Sequence, residues 1–561
     1  GGGGVGWRGG LASRDSRRRD VPCMVEDGSQ AKGAPIAGRI VRAAFSVQAA
    51  HVLLKVAGIL QLMVVGRYIE PGTVDVVYVF VFENCIFAIF LLGEEVIGPT
   101  FLPVFMREKD DHGEDRAWIF GNTVLSVQLM LLLGAVAFLL LFPNQVIRLF
   151  TAWNTDSDPG NFVMARQTLV WLAPSLVFLS LGSTTYMLLN GYKRFFLAAF
   201  GDASWKFCVL VFVLLGMGLF GFDYRCLVFG LLVGSMAKLA THLVGLLKEL
   251  RLFRFKLNLN NRALHTMLWL MLPLIGGIVF AKVRDVYNNV TILSYLDADG
   301  LLQANSFGRK LYVTIGWLVP YALSIAIFPF FCEMVDKDDR DQFGSVLSKA
   351  GRMLLSVFIP GALVCLVLAR PVTSLIFEGG EFTGLMVDRT AVAMACYTLV
   401  LPAYALEYLL MQAFFANRRM VAVTVAGVVF SAVSILISYL GIRVFGATEL
   451  TALAVVALGF ALSRTLKVVT LVGLLKRNIP CFHWRATFLL VVQALAVGGA
   501  ATGACYAVNM WFLTYVSDST AKLVVLLRLT VDGAAVGVVF LAGAWLVRMR
   551  EPFEMFAWGW Y

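Results

Sequence analysis

Charge is scarce in this sequence. Only 15% of its 561 residues are Asp, Glu, Lys or Arg, where a soluble domain carries about 25%. With 59% hydrophobic residues and a mean hydropathy of +0.78, the chain belongs to the membrane class. Histidine is rarer still: His51, His112, His242, His265 and His483 are dispersed, and no HExxH occurs. Nine cysteines (Cys23, Cys85, Cys208, Cys226, Cys332, Cys365, Cys396, Cys481, Cys505) form no CxxC, and most lie inside apolar runs. They read as small apolar fillers, neither a disulfide frame nor a metal site. There is no Walker loop and no GxSxG. Nothing here supports ATP hydrolysis or intramembrane proteolysis by this chain alone. No catalytic residue, metal or cofactor is expected, and the only open place is for an unidentified coupling ion.

What is abundant is long apolar sequence. About fourteen runs are long enough to span a bilayer, the first near 44–66 and the last near 523–547. Their length and Leu/Val/Phe content predict α-helices, not ten-residue barrel strands. No stretch between them would make a soluble domain. The expected fold is an all-α polytopic membrane protein. Residues 1–38 are Gly- and Arg-rich without periodicity and are expected to be disordered. Met24 reads as the natural start, and no removable signal peptide is expected.

The chain also repeats itself. FLPVFMREKDD from Phe101 ends the second run, and IFPFFCEMVDKDD from Ile327 ends the eighth. Pro103 and Pro329 are about 226 residues apart. At nearly that offset Lys55 in LLKVAG answers Lys282 in FAKVRD, and GYKRFF at Lys193 answers ANRRMV at Arg418. Six runs per copy is an even number, so both copies start on one side and the repeats are parallel. This predicts a first lobe over 39–247, a cytoplasmic linker over 248–262, a second lobe over 263–477, and two further spans with a tail over 478–561. NQVIRLFTAW and PVTSLIFEGGEFT, at matching places in the lobes, read as interfacial helices on the outer face.

The net charge of +11 is explained by topology, not by nucleic acid. With the N-terminus inside, cytoplasmic segments from Met24 onward hold roughly 22 Lys and Arg and outside loops roughly 7. The densest cluster, KELRLFRFKLNLNNR, is the linker, and it suits anionic lipid. Both termini are expected in the cytoplasm.

An ionisable side chain at the bilayer centre costs about 2.5–3.5 kcal/mol and needs a partner or a watery cavity. Lys238, Arg464 and Lys467 lie toward cytoplasmic ends and suit snorkelling. Arg528 and Asp532 are i,i+4 and can neutralise each other. Glu407 suits pairing with a lysine. Lys55, Lys282, Arg284 and Arg309 remain as candidate substrate-binding residues, with Lys310 beside them. Glu83, Glu94 and Asp285 are candidates for gating or coupling. Lys55–Glu83 and Arg284–Asp285 are alternatively internal ion pairs. Arg presents a fork that matches phosphate oxygens, and Lys a point charge. Lys282 and Arg309, on different helices, could clamp one anionic group. Lys282 and Arg284 are about 200° apart around a helix, so only one can face a cleft squarely.

Over roughly 40–550 the chain resembles the MurJ family of lipid II flippases, within the MOP exporter superfamily. The resemblance rests on FLPVF at Phe101, LMLPLIGG at Leu270, LSYLDADGLLQANSFGRKL at Leu293, LIFEGGEFT at Leu375 and MQAFFANRR at Met411, in that order. It implies alternating access between two lobes, without ATP, carrying a lipid-linked glycan diphosphate across the bacterial cytoplasmic membrane for peptidoglycan synthesis. The partners implied are that substrate, membrane lipids and the cell-wall synthesis machinery. The sequence departs from the family where cavity arginines are expected. Gln61 and Leu62 stand in the first span, Ala88, Ile89 and Phe90 in the second, and Gly308 precedes the retained Arg309. The family glutamate is kept as Glu94 or Glu95. Three other readings stay open: a MATE-like cation or drug antiporter, a flippase of another polysaccharide lipid, and a transport-incompetent membrane scaffold.

Overall fold

The computed structural model describes residues 54–417, 419–516 and 522–558. The 1–38 tail, Met24, the start of the first run and Arg418 lie outside the described residues. The first described helix, α1, covers 54–68. It is followed by α2 (Pro71–His112), α3 (Glu114–Leu141), α4 (Pro143–Phe150), α5 (Pro159–Leu172), α6 (Ser175–Gly191), α7 (Phe195–Leu219) and α8 (Arg225–Gly245). Then come α9 (Arg262–Val286), α10 (Leu301–Asp336), α11 (Arg340–Phe377), α12 (Gly384–Thr398), α13 (Leu401–Ala416), α14 (Met420–Val444) and α15 (Glu449–Lys476). The chain closes with α16 (Trp484–Tyr515), α17 (Lys522–Leu546) and α18 (Glu551–Trp558).

Among the described residues nine helices are long and apolar enough to cross a membrane, or twelve if each of three bent pairs is one span. The expected count of fourteen is not reached by that measure. The two expected spans it leaves out are both helical, as α1 and α10. Local chemistry sets the helix starts. Asp158 caps α5 through Asn161 N at 3.2 Å, and Asn261 caps α9 through Ala263 N at 2.8 Å. Asp339 caps α11 through Gln342 N at 2.9 Å. In each case a side-chain oxygen accepts an orphan N–H of the first turn.

The repeat is visible at the level of single hydrogen bonds. Arg194 N donates to Leu189 O at 2.8 Å, and Arg419 N to Phe414 O at 2.9 Å. Phe220 N donates to Leu215 O at 3.0 Å, and Phe445 N to Leu440 O at 2.9 Å. Phe222 N reaches Gly216 O as Ala447 N reaches Gly441 O. Each pair lies about 225 residues apart. The α5–α6 and α12–α13 breaks also match, both bent by 46°. Of the two expected interfacial helices, one forms as the short α4. PVTSLIF does not: it continues α11 through Pro371 to Phe377, and EGGEF makes a turn bridged between Gly379 and Phe382.

Core packing shows how the halves meet. One apolar core holds residues of both lobes: Val76, Phe80, Leu169 and Val213 with Leu293, Leu301, Phe307 and Phe382. All of these lie at the end of the bundle away from the 248–262 linker. At the linker end there are two separate cores. Phe101, Phe105, Trp118 and Leu188 form one, joined by Ala263, Leu264 and Met267 at the start of α9, and Phe331, Phe343, Leu406 and Leu471 form the other. The shared core thus lies far from the linker. Near the linker, among the described residues, α9 alone of the second half packs onto the first half's core.

Polar contacts reinforce the fused end. Asp75 on α2 is buried, and its carboxylate accepts from Gly300 N at 2.8 Å and Gln303 N at 2.6 Å, the first turn of α10. Glu381 N donates to Arg67 O at 3.0 Å. Gly380 there has φ +63°, and a Cβ would stand 2.1 Å from Arg67 O, so only glycine permits that approach. Ala152 N donates to Ser294 Oγ at 2.9 Å.

Candidate functional site

A cavity of about 360 Å³ opens between the halves, walled by α1, α2, α7, α9 and α10. Lys55, Lys206, Lys282, Arg309 and Lys310 line it, against the carboxylates of Glu83 and Asp285. Five cations facing two anions make a site for an anion. Gln61 and Ala88 form neutral parts of the same wall. A second cavity of about 530 Å³ lies among α9, α10, α13, α14 and α15, with Glu95 of α2 also in its wall. Lys282, Asp285 and Arg309 border both.

The charges are organised in pairs across helices. Glu83 is bound by Lys310 and accepts from Ser306 Oγ at 2.7 Å, so α2 is tied to α10. Lys310 is thus the partner shown for Glu83, where Lys55 was the alternative from sequence. Lys310 Nζ also sits 4.6 Å from the centre of the Tyr78 ring, whose hydroxyl accepts from Gln61 at 3.3 Å. Asp285 lies between two guanidiniums: Arg284 Nη2 at 2.7 Å and Arg309 Nη2 at 2.8 Å. Both arginines lie over the Phe460 ring, at 5.1 and 5.5 Å. Lys282 Nζ reaches Glu95 at 2.8 Å.

Of the residues singled out from sequence, Lys55, Lys282, Arg309, Glu83 and Asp285 come together around the central cavity. Arg284 does not line it; it lies in the wall of the second cavity. Glu94 lines neither cavity, and of Glu94 and Glu95 it is Glu95 that pairs with a cation of the site, Lys282.

Three expectations about the other charges need correction. Lys238 does not snorkel. It is 2% exposed and pairs with Asp202 at 2.6 Å, while His242 one turn on meets Gly182 O and Ala198 O at 3.0 and 3.1 Å. Arg464 and Lys467 also turn inward, and both hold Glu407, Lys467 at 2.7 Å. The physical reason is common to all three: a carboxylate on a neighbouring helix, Asp202 or Glu407, compensates the cation better than the distant interface does. Arg528 and Asp532 lie buried on one face of α17, yet no ion pair joins them.

Sequence reasoning passed over Asp75, Lys206 and Asp202. The signal for the last two is their position inside the 201–220 run. Asp75 is the third residue of the second run, and only its partners give it meaning. Among the described residues no group of His, Cys, Asp and Glu could hold a metal ion.

Two repeated halves of membrane-length helices, meeting at an inter-lobe cavity, define a polytopic protein with the fold of the MOP transporter superfamily. A solved inward-facing MATE multidrug transporter of that superfamily superposes with a TM-score of 0.65 at 11% identity, covering 76% of this chain and 94% of the other. A solved lipid II flippase MurJ, in an inward closed conformation, superposes with a TM-score of 0.70 at 17% identity, covering 90% and 98%. Residues 72–526 match the family model described as lipid II flippase MurJ, and the chain belongs to that family. A probable lipid II flippase MurJ of Buchnera aphidicola subsp. Acyrthosiphon pisum is 24% identical over 326 residues, 58% of this chain and 63% of that relative. The matched stretch thus spans slightly less than two thirds of that relative's length.

Proposed function

We propose that the protein is a flippase of a lipid-linked glycan diphosphate, most simply lipid II, in the bacterial cytoplasmic membrane. The observation that carries this is the inter-lobe cavity with five cations against two carboxylates, in a chain of the MurJ family. A diphosphate enters from the linker end, where the cores are separate, and meets Lys55, Lys282 and Arg309. Rocking of the two lobes then opens the far end. The inside-negative potential supplies about 2.3 kcal/mol per charge per 100 mV, roughly 4–5 for two charges, so no nucleotide is required. The excess of cations disfavours a cation antiporter, whose carrier carboxylates would need to be free. Of the candidate carriers, Glu83 and Asp285 are each held by Lys or Arg.

Complementation tests the reading. Expression of this chain is expected to restore growth and wall synthesis to a bacterium depleted of its flippase. Failure, with the protein present in the membrane in normal amount, favours the scaffold reading. In this proposal the 248–262 linker and both termini are cytoplasmic. A single cysteine placed in that linker is expected to escape an impermeant maleimide in intact cells; strong labelling would reverse the topology.

Lys282 borders the central cavity and Arg284 does not. Lys282→Ala is therefore expected to weaken polyprenyl diphosphate binding by about tenfold, the scale of one lost charge-assisted hydrogen bond. Arg284→Ala should cost less, and Lys55→Ala combined with Lys282→Ala should abolish binding. Titration of purified variants at fixed low salt measures this. Equal losses for Lys282→Ala and Arg284→Ala would contradict the assignment.

A further inference from the structure

We propose that Lys206, on α7, is a direct phosphate-contacting residue of the cavity, and that Gly58 is kept small to admit its ammonium group. The inference rests on the flippase reading and names the first-lobe side of its anion site. Three cations of the cavity are already engaged by carboxylates: Lys282 by Glu95, Arg309 by Asp285 and Lys310 by Glu83. All three belong to the second half. Lys206 faces them from the first half and makes no ion pair among the described residues. The nearest aspartate on its own helix, Asp202, is taken by Lys238 at 2.6 Å.

The hydrogen bond shown for Lys206 is to a backbone carbonyl, Leu54 O at 3.3 Å. That carbonyl lies one turn before Gly58 on α1. A Cβ on Gly58 would stand 2.9 Å from Lys206 Nζ. The ammonium thus occupies the place where α1 lacks a side chain. An ammonium has three N–H donors, so two are left for a ligand. Its desolvated charge is best compensated by an incoming anion. The neighbouring Trp205 is buried, and its ring centre lies 5.6 Å from Nζ.

The geometry has a functional consequence. A diphosphate presents charge on two phosphoryl groups. Cations on one wall alone would hold it to one half of the protein. With Lys206 and Lys55 on the first-half wall and Lys282 and Arg309 on the other, the anion bridges both halves and draws them together around it.

The test is binding of a short-chain polyprenyl diphosphate, and of inorganic pyrophosphate, to the purified full chain in detergent. Lys206→Gln removes the charge and keeps a polar end on a side chain one atom shorter. It is expected to weaken both ligands at least tenfold, with an unchanged melting temperature. Gly58→Ala is expected to weaken them about threefold in the parent and not at all in a Lys206→Gln background, because the methyl group acts only on the ammonium. Parental affinity in Lys206→Gln overturns the proposal while leaving the flippase reading intact. Should Lys206→Gln fail to fold, Gly58→Ala decides alone, and parental affinity there overturns the proposal. A parent chain that binds neither ligand removes the flippase reading and this inference with it.

Discussion

Asp75→Ala is expected to abolish transport while the protein still reaches the membrane. Its carboxylate accepts two backbone N–H groups from the first turn of α10, at 2.8 and 2.6 Å, and so joins α2 to a helix of the other half. A charged acceptor at a helix N-terminus also meets the positive end of the helix dipole. Each charge-assisted hydrogen bond is worth about 1.5–3 kcal/mol. Losing both shifts the balance between closed and open far ends by two orders of magnitude or more. Asp75→Asn should be intermediate, since an amide has one acceptor oxygen where two N–H groups need one each. The check has two parts: flipping or complementation, and reactivity of a cavity cysteine to an outside reagent, which should rise. Normal transport with unchanged reactivity would mean the contact is only structural.

Arg309→Ala and Arg309→Lys are both expected to lose transport by at least about a hundredfold. Arg309 holds Asp285 at 2.8 Å while lying over the Phe460 ring and lining the cavity. A guanidinium has five donors, enough for Asp285 and a phosphate together. A lysine is a single point of charge and cannot serve both in that geometry. The pair is half-buried, so removing one partner also costs stability, up to the about 3–5 kcal/mol of a fully buried pair. For that reason Arg309→Ala is to be compared with Arg309→Ala combined with Asp285→Ala. The double variant should recover stability, measured as membrane abundance and melting temperature, and should not recover transport. Transport restored in the double variant would assign Arg309 to structure alone.

How far the sequence reaches can be judged from particular residues. Hydropathy marked the helices because a lipid-facing backbone must satisfy its own hydrogen bonds. The repeat was legible at Pro103 and Pro329 and at the GYKRFF and ANRRMV loops. The structure adds that the second of these matches extends to individual hydrogen bonds, Arg194 to Leu189 and Arg419 to Phe414. Lys55, Lys282 and Arg309 were legible as cavity residues because charge inside an apolar run needs water or a partner. The identity of each partner was not. Lys238, Arg464 and Lys467 look like snorkelling cations when only distance from a helix end is counted. Their carboxylates stand on other helices, and helix packing sets those distances.

The sequence by itself determined the class of the protein, the helical spans, the duplication and the sign of the charge in the cleft. These depend on composition, on 3.6-residue helical geometry and on local turns, all of which act over short distances along the chain. Only the tertiary structure decided which cations remain available to a ligand, that Lys206 belongs with them, and that Asp75 locks one half to the other. Asp75 and its partners Gly300 and Gln303 are more than two hundred residues apart. A pairing of that kind is produced by the docking of two lobes around a shared core, and no local pattern encodes it.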